Sequence, residues 1–254
     1  MSGTLTGRSA IVTGAARGIG LAVARLLVRA EARVLLADPD ERRLEVEVAA
    51  LNAAKHRGEA TAFCCNFGDR LDMTNRLTAA WEAQGGLDIL VDANLLAEPS
   101  DLLAPGVDEL EATLSRNVAA RLRLAQLAAR RMQAQEAPED EPRRDRAILF
   151  VTPTPRIGAT GDFAALAAGA AALGPVVRGL ALRLAPHGLR VNALAIAIDH
   201  PAENGAEPSF AFPPEADGDE AAAEAALFLV SPAARAVTGQ TLAADAGREL
   251  DARP

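Results

Sequence analysis

The 254-residue chain has no tyrosine and one lysine, Lys55; apart from three histidines, every other basic residue is arginine. Any reaction that needs a phenol beside an ammonium group is therefore excluded by counting. Cysteine is scarce as well, with Cys64 and Cys65 adjacent in an apolar stretch. Neighbours in a strand point to opposite faces, so this pair is badly placed to share a metal or a disulfide. Both are expected as buried core thiols. His56, His187 and His200 are scattered, and no metal-ligand cluster or Ser-His-Asp order stands out, so no metal is expected. No unbroken apolar run is long enough to span a bilayer. Met1 to Gly7 lack the charged-then-apolar pattern of a signal segment. A net charge of −8 argues against nucleic acid, which needs a basic patch. The expectation is a soluble cytoplasmic protein that binds neither nucleic acid nor membrane.

Short apolar runs rich in β-formers alternate with longer helical patterns, the signature of a parallel sheet with crossover helices. Strands are expected at Ser9 to Thr13, Arg33 to Ala37, Thr61 to Cys65, Ile89 to Ala93, Ala147 to Thr152, Arg190 to Ala195 and Thr241 to Ala244. Helices are expected at Gly18 to Ala30, Glu41 to Lys55, Asp69 to Gln84, Val107 to Met132, Ala164 to Leu184 and Asp219 to Leu229. The strand runs are continuous rather than alternating, as expected where helices cover both faces. The fold class is α/β: one Rossmann-type domain over 1–254, with seven parallel strands doubly wound. Residues 135–146, QEAPEDEPRRDR, read as a charged surface insertion. Residues 196–218, with four prolines and little periodicity, are too long for a plain connector and suit a lid or a partner-binding loop.

The first strand runs into Thr13-Gly14-Ala15-Ala16-Arg17-Gly18-Ile19-Gly20. Glycines permit a tight turn and close approach of a pyrophosphate to the backbone. The helix after the turn offers N–H groups and the positive end of its dipole. A glycine-rich turn alone is a weak signal; between a first strand and a helix it is a dinucleotide site. Asp38 closes the second strand, where an acid accepts from ribose hydroxyls and repels a 2′-phosphate, which favours NAD over NADP.

The spacing Thr-Gly-x-x-x-Gly-x-Gly, with LDILV at Leu87 to Val91, Asn117 in SRNV, HGLRVNAL at His187 to Leu194 and LFLVSPAARAVTGQTLAADAG at Leu227 to Gly247, resembles the short-chain dehydrogenases/reductases, close to the ketoacyl-carrier-protein reductase type. The resemblance implies cofactor contacts at Thr13, Gly14, Arg17, Gly18, Ile19, Gly20 and Asp38, with Asn66 near the adenine. It also implies a serine, a tyrosine and a lysine that together run the hydride chemistry. Counted back from Val191-Asn192, those positions hold Pro153, Leu166 and Ala170, so no catalytic residue is assigned. Thr152 and Thr154 flank the serine position. The family's Asn-Asn-Ala-Gly after strand four reads Asp92-Ala93-Asn94-Leu95, and its Pro-Gly and threonine after strand six read Ile196, Ala197 and Pro201. A leucine at 95 would project where the backbone should lie against the cofactor.

The expectation is thus a degenerate, non-catalytic relative of an oxidoreductase, with NAD binding weak, vestigial or absent. Two other readings stand beside it: an NAD-dependent oxidoreductase with a rebuilt site, for which His200 beside Asp199 is the candidate base, and a dinucleotide-sensing protein. Residues 164–184 are apolar nearly all round, so more than one side of that helix should be covered. This points to a homo-oligomer, dimer or tetramer, or to a hetero-oligomer with a catalytically complete relative. Val177 is expected on the outer, interfacial face.

Overall fold

A computed structural model describes residues 5–54, 56–67, 70–95, 107–135, 145–154, 163–197 and 218–247. Lys55, His200, Pro201, most of the 135–146 insertion and residues 198–217 of the long loop lie outside these, so the expectations placed on them receive no structural account.

The strands are β1 (Ser9–Thr13), β2 (Arg33–Asp38), β3 (Glu59–Cys64), β4 (Ile89–Asp92), β5 (Arg146–Pro153), β6 (Leu189–Ile196) and β7 (Thr241–Ala244). All pair in parallel in one sheet of order β3-β2-β1-β4-β5-β6-β7. The order reverses between β1 and β4, and such a switch point opens a crevice at the carboxyl ends of the strands. The helices are α1 (Gly18–Arg29), α2 (Glu41–Ala53), α3 (Arg70–Ala83), α4 (Val107–Leu114), α5 (Arg121–Ala134), α6 (Ala164–Leu184) and α7 (Gly218–Val230). One apolar cluster joins the sheet to α1, α2 and α7, and a second, on the other face, joins it to α3, α5 and α6. The expected fold is thus present.

Three expectations are corrected. Residues 107–132 do not form one helix: a π-helical turn, Ser115–Ala120, separates α4 from α5. A π turn inserts an extra residue and shifts the helical phase of every residue beyond it; Arg121, directly after the turn, is buried. Cys65 is buried but Cys64 is only half-buried, its thiol 3.6 Å from the Pro39 carbonyl. The reason is that β3 is an edge strand, and the same holds for β7, whose residues Thr241 to Ala243 are exposed. Lastly, Val177 lies in the core beneath α6, packed with the cluster that holds Leu173 and Ala181.

By length and apolarity, the stretch Ala164–His187 would suffice to cross a membrane. Here it lies along the sheet, and Leu166, Leu173, Val177 and Leu184 are buried against the core. Its opposite side, with Ala168, Ala171, Pro175, Gly179 and Leu182, is exposed.

Candidate functional site

The turn after β1 has the backbone that its glycines allow. Gly14 and Gly18 have φ of 64° and 54°, a region that side chains disfavour. A Cβ on Gly14 would lie 2.6 Å from the Ala93 carbonyl oxygen, and one on Gly20 would lie 2.2 Å from the Gly14 carbonyl oxygen. Gly14 therefore lets β1 and the end of β4 close together, and Gly20 lets α1 sit on the turn. Gly20→Ala should lower stability by about 1–3 kcal/mol, because the clash is with backbone that cannot step aside. Thermal melting checks this; an unchanged Tm would show that the turn can relax.

Arg17 is the N-cap residue of α1, extended at φ −161°, and its side chain makes no cap hydrogen bond. The first helical bond runs from Leu21 N–H to the Arg17 carbonyl. The N–H groups of Gly18, Ile19 and Gly20 come before it, where an anion could stand in for the missing helical acceptors. The guanidinium of Arg17 reaches Asp40 at 2.9 Å on the surface. Asp38 is buried; its carboxylate accepts from Ala16 N–H at 3.3 Å and from Asp40 N–H at 3.0 Å. Both oxygens keep further acceptor capacity, so a ribose hydroxyl fits there. Asn66 is exposed just past β3, and Cys64 is paired in register with Asp38. A carboxylate oxygen of Asp219, in the first turn of α7, would lie 3.6 Å from a Cβ on Gly18. Negative charge thus already stands beside the turn.

Thr13 is fully buried. Its hydroxyl donates to Asp92 at 2.7 Å and belongs to the crevice floor. Asp92 is 1% exposed and Arg121, at 2% exposed, is its ion-pair partner at 2.7 Å. The same guanidinium donates to the Asp92 carbonyl at 2.8 Å and to the Val151 carbonyl at 2.5 Å, and it stacks over the Phe150 ring. Asp92 also accepts from Asn94 N–H at 3.3 Å, and Leu95 N–H donates to the Ala93 carbonyl at 2.9 Å. One ion pair thereby joins β1, β4, β5 and α5 beneath the switch point and sets the backbone that carries Leu95. Reading the sequence missed it. The available signal was an aspartate closing an apolar strand, since a buried acid needs a cation; the π turn hid which arginine would answer.

The positions counted as catalytic carry no acid–base groups. Pro153 ends β5, and Thr154 N–H donates to the Ile196 carbonyl at 2.9 Å. Thr152 and Thr154 are buried. Leu166 is 1% exposed on the first turn of α6, and Ala170 is half-buried one turn later. Asn117, buried in the π turn, lies under α6, where a Cβ on Gly169 would touch it at 3.5 Å. The adenosine half of a dinucleotide fits the residues present. On the nicotinamide side Leu95 and Ile196 stand at the counted positions, and Leu95 is half-buried. Among the described residues, no group of three or more His, Cys, Asp or Glu side chains could hold a metal.

A family model described as Enoyl-(Acyl carrier protein) reductase matches residues 14–249. The short-chain reductase protein NovJ of Streptomyces niveus is 30% identical, with 94% of this chain and 93% of that protein covered. The short-chain dehydrogenase reductase 3a of Arabidopsis thaliana is 28% identical, with 97% of each covered. Among solved structures, a putative short-chain dehydrogenase/reductase from Burkholderia xenovorans superposes with a TM-score of 0.86 at 24% identity, covering 99% of this chain and 100% of that one. Sequence, fold and the form of the phosphate turn agree: the chain belongs to the short-chain dehydrogenase/reductase family, whose members typically bind NAD(P).

Proposed function

We propose that this chain is a non-catalytic member of its family, a structural or regulatory subunit of an oxidoreductase assembly. The observation that carries the reading is the set Pro153, Leu166 and Ala170 at the acid–base positions, in a chain without tyrosine whose only lysine is Lys55. Leucine, alanine and proline side chains neither donate nor accept a proton. Thr152 and Thr154 keep hydroxyls nearby, but a hydroxyl alone has no base to activate it. NADH oxidation with ketoacyl thioesters, steroids or simple ketones tests the reading. Steady turnover that survives rigorous purification would end it.

A second reading, dinucleotide sensing, is favoured by the retained left-handed glycines of the turn and by Asp38 at the end of β2. NAD would then be held by its adenosine half, through the N–H groups of Gly18, Ile19 and Gly20 and the Asp38 carboxylate. The expected outcome is that NADH binds no more tightly than ADP-ribose in calorimetry, because Leu95 and Ile196 offer the nicotinamide nothing polar. Leu95→Gly should tighten NADH binding more than ADP-ribose binding. A clear preference of the unaltered chain for NADH would show a working nicotinamide half and refute the steric account.

The exposed side of α6 supports the subunit role. Leu182 is 80% exposed there, amid small side chains. Apolar stripes of this kind on a soluble chain are normally covered by a partner.

A further inference from the structure

The phosphate turn has a carboxylate for a neighbour. A Cβ on Gly18 would lie 3.6 Å from Oδ2 of Asp219, so that oxygen stands beside the opening residue of α1. Asp219 is half-buried in the first turn of α7, where a negative charge suits the helix dipole. It is not carried on a loose arm. Ala222, Ala223 and Ala226 seat α7 in the same apolar cluster as Leu21, Val23 and Ala24 of α1. A groove of about 200 Å³ runs between the two helices, lined by Gly18, Leu21 and Arg25 of α1 and by Asp219, Glu220 and Glu224 of α7. Arg17, in the turn, pairs with Asp40 at 2.9 Å, and Arg25, two turns along α1, pairs with Glu47 at 2.7 Å. Each of these two arginines is thus already matched by an acid other than Asp219. Arg29 closes α1 about 16 Å further along its axis. Asp38 borders the turn as well, accepting from Ala16 N–H.

We infer that Asp219 sets the charge that the phosphate turn tolerates: it admits a diphosphate bridged between two sugars and turns away one that ends in a free phosphate. The inference rests on the dinucleotide reading above and names a specificity-determining residue of that same site. The N–H groups of Gly18, Ile19 and Gly20 and the dipole of α1 attract any phosphate, and most of all the most highly charged. A carboxylate held beside the turn works the opposite way, since its repulsion also grows with ligand charge. A bridged diphosphate carries one negative charge per phosphate. A terminal phosphate carries close to two near neutral pH, because the second pKa of a phosphate monoester is about 6. ADP-ribose and ADP share the adenosine and both phosphates and differ by about one charge. Asp219 therefore disfavours ADP more than ADP-ribose and leaves adenosine untouched. Specificity is a difference of affinities, and a repulsive group against the competitor supplies it as well as a contact to the chosen ligand does. Glu224 lies more than a turn further along α7 and is exposed, so water and salt screen it from the turn.

The test is calorimetry on the full chain with adenosine, ADP-ribose and ADP, free of divalent metal so that ADP keeps its charge. The unaltered chain is compared with Asp219→Asn and, as a control, with Glu224→Gln. Asparagine keeps the shape of the side chain and removes its charge. The gain in affinity on Asp219→Asn should rise with ligand charge: none for adenosine, about threefold for ADP-ribose and about tenfold for ADP, the scale of one unit charge a few ångströms away at a wetted surface. Glu224→Gln should change each affinity by less than about twofold. Each ligand is compared with itself across the chains, so the contacts that only ADP-ribose makes through its second ribose cancel. A merely structural role for Asp219 at the start of α7 would move all three ligands alike. If Asp219→Asn does not fold, Asp219→Ser, small and uncharged, takes its place. Equal gains for all three ligands, no gain for ADP, or the same gains from Glu224→Gln would overturn the inference and leave the dinucleotide reading standing. If neither the unaltered chain nor the variants bind any of the three ligands, the dinucleotide reading itself fails, and the inference fails with it.

Discussion

Arg121→Met is expected to lower the unfolding free energy by about 3–5 kcal/mol, the usual result of removing one partner of a buried ion pair. Three acceptors lose their donor at once: the Asp92 carboxylate, the Asp92 carbonyl and the Val151 carbonyl. Asp92 keeps only the Thr13 hydroxyl and Asn94 N–H, two neutral donors, and it is almost wholly excluded from water. Methionine fills a similar volume, so the loss comes from the stranded charge rather than from a cavity. Denaturant unfolding checks the value. Replacing both partners, Arg121→Met with Asp92→Leu, should recover much of it, since apolar pairs of similar volume often replace buried ion pairs without loss. The coupling between the single and double variants measures the pair itself. A loss below about 1 kcal/mol for Arg121→Met would mean that water reaches Asp92 and that the pair does not hold the switch point.

That pair also marks the limit of legibility in the chain. The sheet was legible because β1, β4, β5 and β6 are covered on both faces, and continuous apolar runs have no other stable home. The glycine turn was legible because its residue types answer to backbone geometry, which Gly14 and Gly18 adopt. The edges were harder: β3 and β7 have one neighbour each, so Cys64 and Leu242 meet solvent although their types suggest burial. Periodicity failed at the π turn, where one extra residue changes every facing after Ser115. The same kind of error put Val177 outside. An almost wholly apolar helix gives no polar side from which to read its orientation, and only packing shows that Leu173, Val177 and Ala181 face inward. At the candidate site, missing functional groups could be counted, whereas a group acting through a distant partner could not.

Returning tyrosine to position 166 and lysine to position 170 should not produce a working enzyme, and turnover should stay at least about 10²-fold below that of a complete relative. The spacing between the two positions is right for one face of α6, so a phenol and an ammonium would lie on adjacent turns. Their surroundings are wrong. Leu166 is buried, and a tyrosine there must displace packed neighbours to make room for a larger, polar side chain. Pro153 ends β5 at the counted serine position, with Thr154 N–H tied to the Ile196 carbonyl, so the position itself carries no hydroxyl to steady a carbonyl oxygen. Leu95 still stands at the nicotinamide side, on backbone that the Asp92–Arg121 pair sets from below. Adding Leu95→Gly and Pro153→Ser to the two substitutions should therefore matter more than either restored residue, and any gain should appear first in cofactor binding and only then in rate. NADH turnover and ADP-ribose-normalised NADH affinity, measured across the series, check this order. Robust turnover from Leu166→Tyr and Ala170→Lys alone would show that the crevice is still shaped for hydride transfer and that the loss of function goes no deeper than two side chains.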